Sequence, residues 1–161
     1  MIRQIQKDDW QRLRDVRLRA LAQAPEAYLE THANASSFPD ELWMERATPD
    51  DEGCSFAVER DGRFDGLVSC FTAGNGDPRS VFLVAMWVAP ELRGTGVASE
   101  LVEQVVDWAL EHRAERVCLS VEPDNERAAR LYEKCGFVET TNPPPFPYEP
   151  NPGNRFYVFE L

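Results

Sequence analysis

Residues 2–6 (IRQIQ) alternate and run into Lys7-Asp8-Asp9, which predicts a short strand and then a helix capped by Asp8 or Asp9. Trp10, Leu13, Val16 and Ala20 fall on one helical face, and Pro25 requires the helix to end before it. Residues 25–52 are less regular. A second short helix is expected after Pro39, carrying Leu42, Trp43 and Arg46. The texture then changes. Cys54–Arg60, Phe64–Thr72 and Ser80–Val88 read as strands, joined by turn signals at Asp61-Gly62 and at Gly74-Asn75-Gly76-Asp77-Pro78. This is the pattern of an antiparallel meander. Its third strand, SVFLVAMWV, is apolar nearly throughout and should be buried on both faces.

After Pro90 the period switches to that of a helix. Ala98, Leu101, Val102, Val105 and Ala109 mark a long one, and Val117–Val121 is a further buried strand. Strand, helix, strand makes a right-handed crossover, so the strands at 80–88 and 117–121 should be parallel. Another helix is expected from about Asn125 to Cys135, ending at Gly136 in a left-handed C-cap. Phe137-Val138 opens a strand. The stretch 142–153 holds six of the twelve prolines and must be a stiff irregular loop, after which RFYVFEL closes the chain as an alternating strand. With 161 residues and neither repeat nor linker, residues 1–161 read as one domain with enough chain to bury a core.

Composition narrows the function classes. A net charge of -11 argues against nucleic acid, whose phosphates are bound by clustered Lys and Arg. No apolar run approaches the ~20 residues of a membrane helix, and the N-terminus has no apolar signal core, so neither a membrane nor export is expected. Cys54, Cys70, Cys118 and Cys135 are far apart and form no C-x-x-C pair, which suits free thiols in a reducing cytoplasm and no metal.

Two segments carry candidate chemistry. Arg93-Gly94-Thr95-Gly96-Val97-Ala98 follows a buried strand and opens a helix. Its glycines let the backbone bend and leave N–H groups uncovered, and a helix start offers unpaired donors and a positive dipole end, a setting for phosphate. Taken alone, it also fits a tight turn and an ordinary helix start. A Walker loop is excluded because no Gly-Lys-Ser/Thr follows, and a dinucleotide fingerprint fits poorly. Further on, Asn125 and Tyr132 stand seven apart on one helical face. Singly, they read as an N-cap and a core aromatic.

Together, the strand–R-x-x-G-x-A–helix segment and the later N-x-x-A-x-x-L-Y-E-x-x-G-F run resemble the GNAT superfamily of N-acetyltransferases. The close match covers about residues 80–140, and the preceding order of strand, two helices and three strands is also similar. The resemblance implies an α/β fold: a mixed, mostly antiparallel central sheet with one splayed parallel pair, flanked by about four helices. It implies acetyl-CoA or another acyl-CoA as donor. The pantetheine arm would insert between the splayed strands and take backbone hydrogen bonds from Met86 and Val88. A bulge near Trp87–Val88 would free an N–H for the thioester carbonyl. Arg93, Gly94, Thr95, Gly96, Val97, Ala98 and Ser99 would wrap the pyrophosphate. Asn125 would bond the pantetheine arm, Tyr132 would assist the leaving sulfur as general acid, and Arg130 or Arg127 would meet the ribose phosphate.

The acceptor half is less defined. The family often places an acid beside the thioester. Here SVFLVAMWV carries none, and Ser120 stands where relatives often have glutamate. Glu26, Glu30 and Glu122 are the candidate bases, with Glu122 put forward for the catalytic set. Residues 26–52 carry eight acids and one base, Arg46, with Tyr28, Phe38 and Trp43 interleaved. That surface would suit a cationic amine, a small molecule or a peptide, with Phe146 and Tyr148 of the proline-rich loop as the opposite wall. An N-acetyltransferase working by direct attack in a ternary complex is the leading reading, and a non-catalytic acyl-CoA-binding or regulatory module is the alternative. Both monomer and homodimer remain open, with RFYVFEL as an edge for pairing.

Overall fold

The computed structural model describes residues 1–74 and 79–161. The turn expected at Gly74–Pro78 therefore lies, from Asn75 to Pro78, outside the described residues. The strands are β1 (Ile2–Gln4), β2 (Gly53–Arg60), β3 (Arg63–Thr72), β4 (Ser80–Val88), β5 (Arg116–Val121), β6 (Val138–Thr140) and β7 (Arg155–Glu160). The helices are α1 (Trp10–Gln23), α2 (His32–Ser36), α3 (Asp40–Ala47), α4 (Val97–Glu111) and α5 (Glu126–Lys134). One sheet of seven strands runs in the order β1-β2-β3-β4-β5-β7-β6. Among the described residues only β4 and β5 pair parallel, as the crossover requires; the other pairs are antiparallel.

The sheet separates two apolar clusters. Alternation along β2 sends Phe56 and Val58 toward α4 and α5, while Ala57 joins the cluster under α1 and α3. Leu101, Val105 and Trp108 of α4 fill the first cluster; Leu13, Val16, Ala20 and Trp43 fill the second. Burial of each large apolar side chain contributes about 2 kcal/mol.

Four local expectations change. The helix start at Asp9 is a 3-10 turn over Lys7–Asp9, and the Asp9 carboxylate reaches back to the Gln6 N–H at 2.9 Å and to the Arg3 guanidinium instead of capping forward. The irregular stretch after residue 25 contains α2, a single turn whose N-cap Thr31 accepts from the Asn34 N–H at 3.1 Å, so the helices among the described residues number five. The C-terminal strand is no edge. β7 lies between β5 and β6, because the chain returns across the sheet end and pairs on both sides. Finally, Val84–Met86 of β4 are only half-buried, within a strand otherwise covered on both faces.

Candidate functional site

The segment after β4 forms the turn that its glycines imply. Gly94 has φ +80° and Gly96, the N-cap of α4, has φ +88°. A Cβ at Gly96 would meet nothing within 4 Å, so the backbone angle and not crowding selects glycine there. The first-turn amides of Val97, Ala98 and Ser99 follow directly, and Ser99 sits beside the thiol of Cys135, the C-cap of α5. Thr95 turns its hydroxyl back onto the Leu92 carbonyl. Arg93 is exposed, and its guanidinium donates to the Val88 carbonyl at 3.3 Å and to Gln23 Oε1 at 3.1 Å. Gln23, at the end of α1, also accepts from Trp87 Nε1 at 2.6 Å. It ties the strand exit to the turn, a role the sequence pattern did not flag.

β4 and β5 pair only from Ser80–Phe82 to Arg116–Cys118 and then splay, while β5 stays paired with β7 as far as Val121. The β5-facing edge of β4 is thus open from Leu83 onward. The bulge lies two residues earlier than expected. Leu67 pairs with Trp87 and Ser69 with Val84, which leaves one extra residue on β4 at Ala85-Met86. Ala85 takes up the distortion at φ +59°. Trp87 and Val88 are back in register against Leu67 and Gly66, and the Trp87 bond to Gln23 holds them there. The Met86 carbonyl already accepts the Tyr28 hydroxyl at 3.0 Å. Burial pushes the Tyr28 pKa up to about 12, so this donor keeps its proton.

On α5, Asn125 is the N-cap: its side-chain oxygen accepts from the Ala128 N–H at 3.1 Å. The helix ends as expected, with Gly136 at φ +100° and the Phe137 N–H returning to the Tyr132 carbonyl at 2.9 Å. Tyr132 is buried on the inner face, its ring 5.7 Å from that of Phe137 in an edge-on arrangement. Burial drives its phenol pKa well above the ordinary value. Arg127 and Arg130 are exposed and form no ion pair among the described residues.

A cavity of about 740 Å³ opens beside the bulge. α1, α3 and the Ala27–Glu30 segment give one wall; β2, β3 and Leu83–Ala85 of β4 give the floor; Ser120, Glu122 and the proline-rich loop give the other wall. Tyr148 of that loop lines the cavity, and Phe146 packs on Phe82 with ring centres 4.9 Å apart. The three candidate acids separate here. Glu122 lines the cavity and accepts from Asn151 Nδ2 at 2.7 Å. Glu30 lines it too, but is paired with Arg46 at 3.1 Å. Glu26 is exposed and outside the lining. Among the lining residues that went unnoticed in the sequence are Arg17 and Asn154. A signal for Arg17 existed: it falls within the Leu13, Val16, Ala20 stripe of α1, where a charge is out of place.

The chain matches the model of the Acetyltransferase (GNAT) family over residues 8–137. It is 31% identical over 119 residues to an uncharacterized N-acetyltransferase of Mycobacterium bovis, a span of 72% of this chain and 70% of that one. Among solved structures, the GNAT domain of S. lividans PAT superposes with a TM-score of 0.78 at 19% identity, covering 99% of this chain and 89% of that one. A putative acetyltransferase from Salmonella typhimurium, solved with its cofactor acetyl-CoA, superposes with a TM-score of 0.72 at 19% identity, covering 100% and 93%. With the glycine turn, the splayed parallel pair and the Asn125–Tyr132 helix in one fold, the chain belongs to the GNAT acetyltransferase family.

Proposed function

We propose that the protein transfers the acetyl group of acetyl-CoA to a primary amine held in the 740 Å³ cavity, by direct attack within a ternary complex. One observation carries the reading. The Ala85–Met86 bulge is where the two halves of the site meet: the cavity reaches Ala85 from one side, and the open edge of β4 leads from the bulge to the α4 turn on the other. The name of the M. bovis relative supports an amine acceptor, and the acetyl-CoA bound by the Salmonella neighbour supports the donor.

The chain's own residues fit such a donor. First-turn amides of α4, uncovered by Gly94 and Gly96, suit a pyrophosphate, and the unpaired edge of β4 suits an extended amide-bearing arm. When bound, acetyl-CoA supplies an activated thioester. Three tasks fall to the protein. The amine must lose a proton, which for a lysine-like pKa near 10.4 costs roughly 4–5 kcal/mol at pH 7. Glu122 serves as base: of the three candidate acids it alone both lines the cavity and is free of an ion pair. A backbone N–H at the bulge stabilises the developing oxyanion, a contribution of roughly 3–4 kcal/mol for one fixed donor. Tyr132 hydrogen-bonds the departing sulfur, and its burial keeps the phenol protonated for that purpose.

The test is thiol release from acetyl-CoA against a panel of amines (polyamines, aminoglycosides, amino acids and peptide N-termini), followed by initial rates at varied concentrations of both substrates. Intersecting double-reciprocal lines are expected. Parallel lines would replace direct attack with an acetylated enzyme. Tight coenzyme A binding with no release for any amine would favour the non-catalytic module instead.

A further inference from the structure

Three buried side-chain polar atoms have no hydrogen-bond partner among the described residues: Arg17 Nη1, Trp43 Nε1 and Asn154 Oδ1. All three residues line the same cavity. Buried polar atoms are nearly always paired, and a buried guanidinium left unpaired is the costliest case. Their collection in one cavity points to a ligand that completes them.

The two donors share the helical wall, Arg17 from α1 and Trp43 from α3. The Arg17 guanidinium lies over the Tyr28 ring at 4.7 Å, and its Nη1 is left without a partner among the described residues. Neighbouring groups are engaged elsewhere. The Tyr28 hydroxyl donates to Met86, and Glu30 is taken by Arg46. Burial pulls the Arg17 pKa down, offset only in part by nearby Tyr28 and Glu30. Two unsatisfied donors lining one cavity, a guanidinium N–H and an indole N–H, match a carboxylate. Across the cavity, Asn154 has turned its Nδ2 toward Ser120 Oγ at 3.4 Å, so its orphan oxygen needs an N–H. Glu122 lies on that same wall. The eight acids of residues 26–52 do not make the cavity uniformly anionic. Of them only Glu30, Asp50 and Glu52 line it, and Asp50 Oδ1 is occupied by the Glu52 and Gly53 N–H groups at 2.8 and 2.9 Å.

We propose that the acceptor is an amino-carboxylate of free amino acid type, its carboxylate on Arg17 and Trp43 and its amine on the Asn154 and Glu122 side. This deepens the transferase reading and rests on the cavity being the acceptor's place.

The test titrates the protein, saturated with coenzyme A so that no turnover occurs, with matched triplets: an amino acid, its carboxamide and its decarboxylated amine, over small, aromatic and thioether side chains. At least one amino acid should bind tenfold or more tighter than both of its partners. Arg17→Gln and Arg17→Lys should remove that preference, and Trp43→Phe should weaken it severalfold, with affinity for coenzyme A held within twofold. Equal or tighter binding of the carboxamide or amine across all triplets overturns the proposal, as does failure of every amino acid to bind. Persistence of the preference in folded Arg17→Gln overturns it equally. Because the triplets report on the unmodified protein, a variant that does not fold leaves the test intact. Carboxylate-selective binding without acetylation of any amine would support this inference while removing the transferase reading. Acetylation that prefers decarboxylated amines would do the reverse.

Discussion

Tyr132 is 5% exposed, and its burial in the α4–α5 cluster favours the neutral phenol. Its proposed role gives a sharp prediction. Tyr132→Phe should lower turnover at saturating acetyl-CoA about 10²-fold, the usual scale for a positioned proton donor. The fall should hold from pH 6 to 9, because the raised pKa keeps the phenol protonated throughout. An unchanged rate over that range would remove Tyr132 from the mechanism. A second residue prediction concerns folding. Asp9 is buried between Arg3, Arg12 and the Gln6 N–H, and its pKa is lowered to about 2, chiefly by its hydrogen bond with Arg3. A carboxylate with a depressed folded pKa stabilises the protein above its unfolded pKa, near 3.8, and loses that contribution as pH falls to about 2. Asp9 should account for about 2 kcal/mol of acid lability in that window. Denaturant melts at pH 5 and pH 2.5 on wild type and Asp9→Asn would show it: the variant's stability should change less between the two. Equal changes would rule Asp9 out.

At the scale of elements, β4 and the turn into α4 make up the proposed donor half. The turn was legible because each of its constraints is local. A left-handed N-cap calls for glycine, and a helix start calls for uncovered amides, whatever packs around them. Gly96→Ala isolates that constraint, since the added methyl meets no atom within 4 Å. It should cost about 1 kcal/mol of stability and raise the Kd for acetyl-CoA several-fold, leaving acceptor affinity unaltered. Calorimetric titration of each ligand would check this; weakened acceptor binding alone would mean the turn serves another purpose. The bulge was legible only in outline. Nothing in SVFLVAMWV marks Ala85 over Trp87 as the distorted residue, because the choice is made by the neighbours: β3 sets the register and Gln23 holds the Trp87 indole.

At the scale of the molecule, Asp65 joins the layers. It is 1% exposed, and its carboxylate accepts from Arg19 of α1, Arg60 of β2 and Arg63 of β3, while its backbone carbonyl accepts the Ala89 N–H at 2.8 Å. This hub fixes α1 against the sheet, and with it Arg17 and Gln23. Asp65→Ala removes the buried member of three ion pairs, while Arg19 keeps Asp15 and the Phe64 carbonyl and Arg60 and Arg63 keep Glu91, so a loss of about 2 kcal/mol is expected, seen as a lower Tm. A shift within error would mean that water replaces the carboxylate at no cost. Both sheet edges, β1 and β6, are three residues long, which leaves little backbone for strand-to-strand association.

The sequence by itself determined the order of elements, the parallel pair, the α4 turn and the Asn125–Tyr132 face. The parallel pair follows from the handedness of one strand–helix–strand crossover, and the others from spacing within about ten residues, where periodicity, turn chemistry and capping act directly. Only the tertiary structure decided the acceptor half. Arg17, Trp43, Glu122 and Asn154 come from four separate stretches of chain, and what makes them a site is that three carry a buried atom without a partner around one cavity. That condition is a property of burial, which no local pattern encodes: Trp43 and Glu122 were named from the sequence, but they join Arg17 and Asn154 in the proposed acceptor site only when the chain is folded.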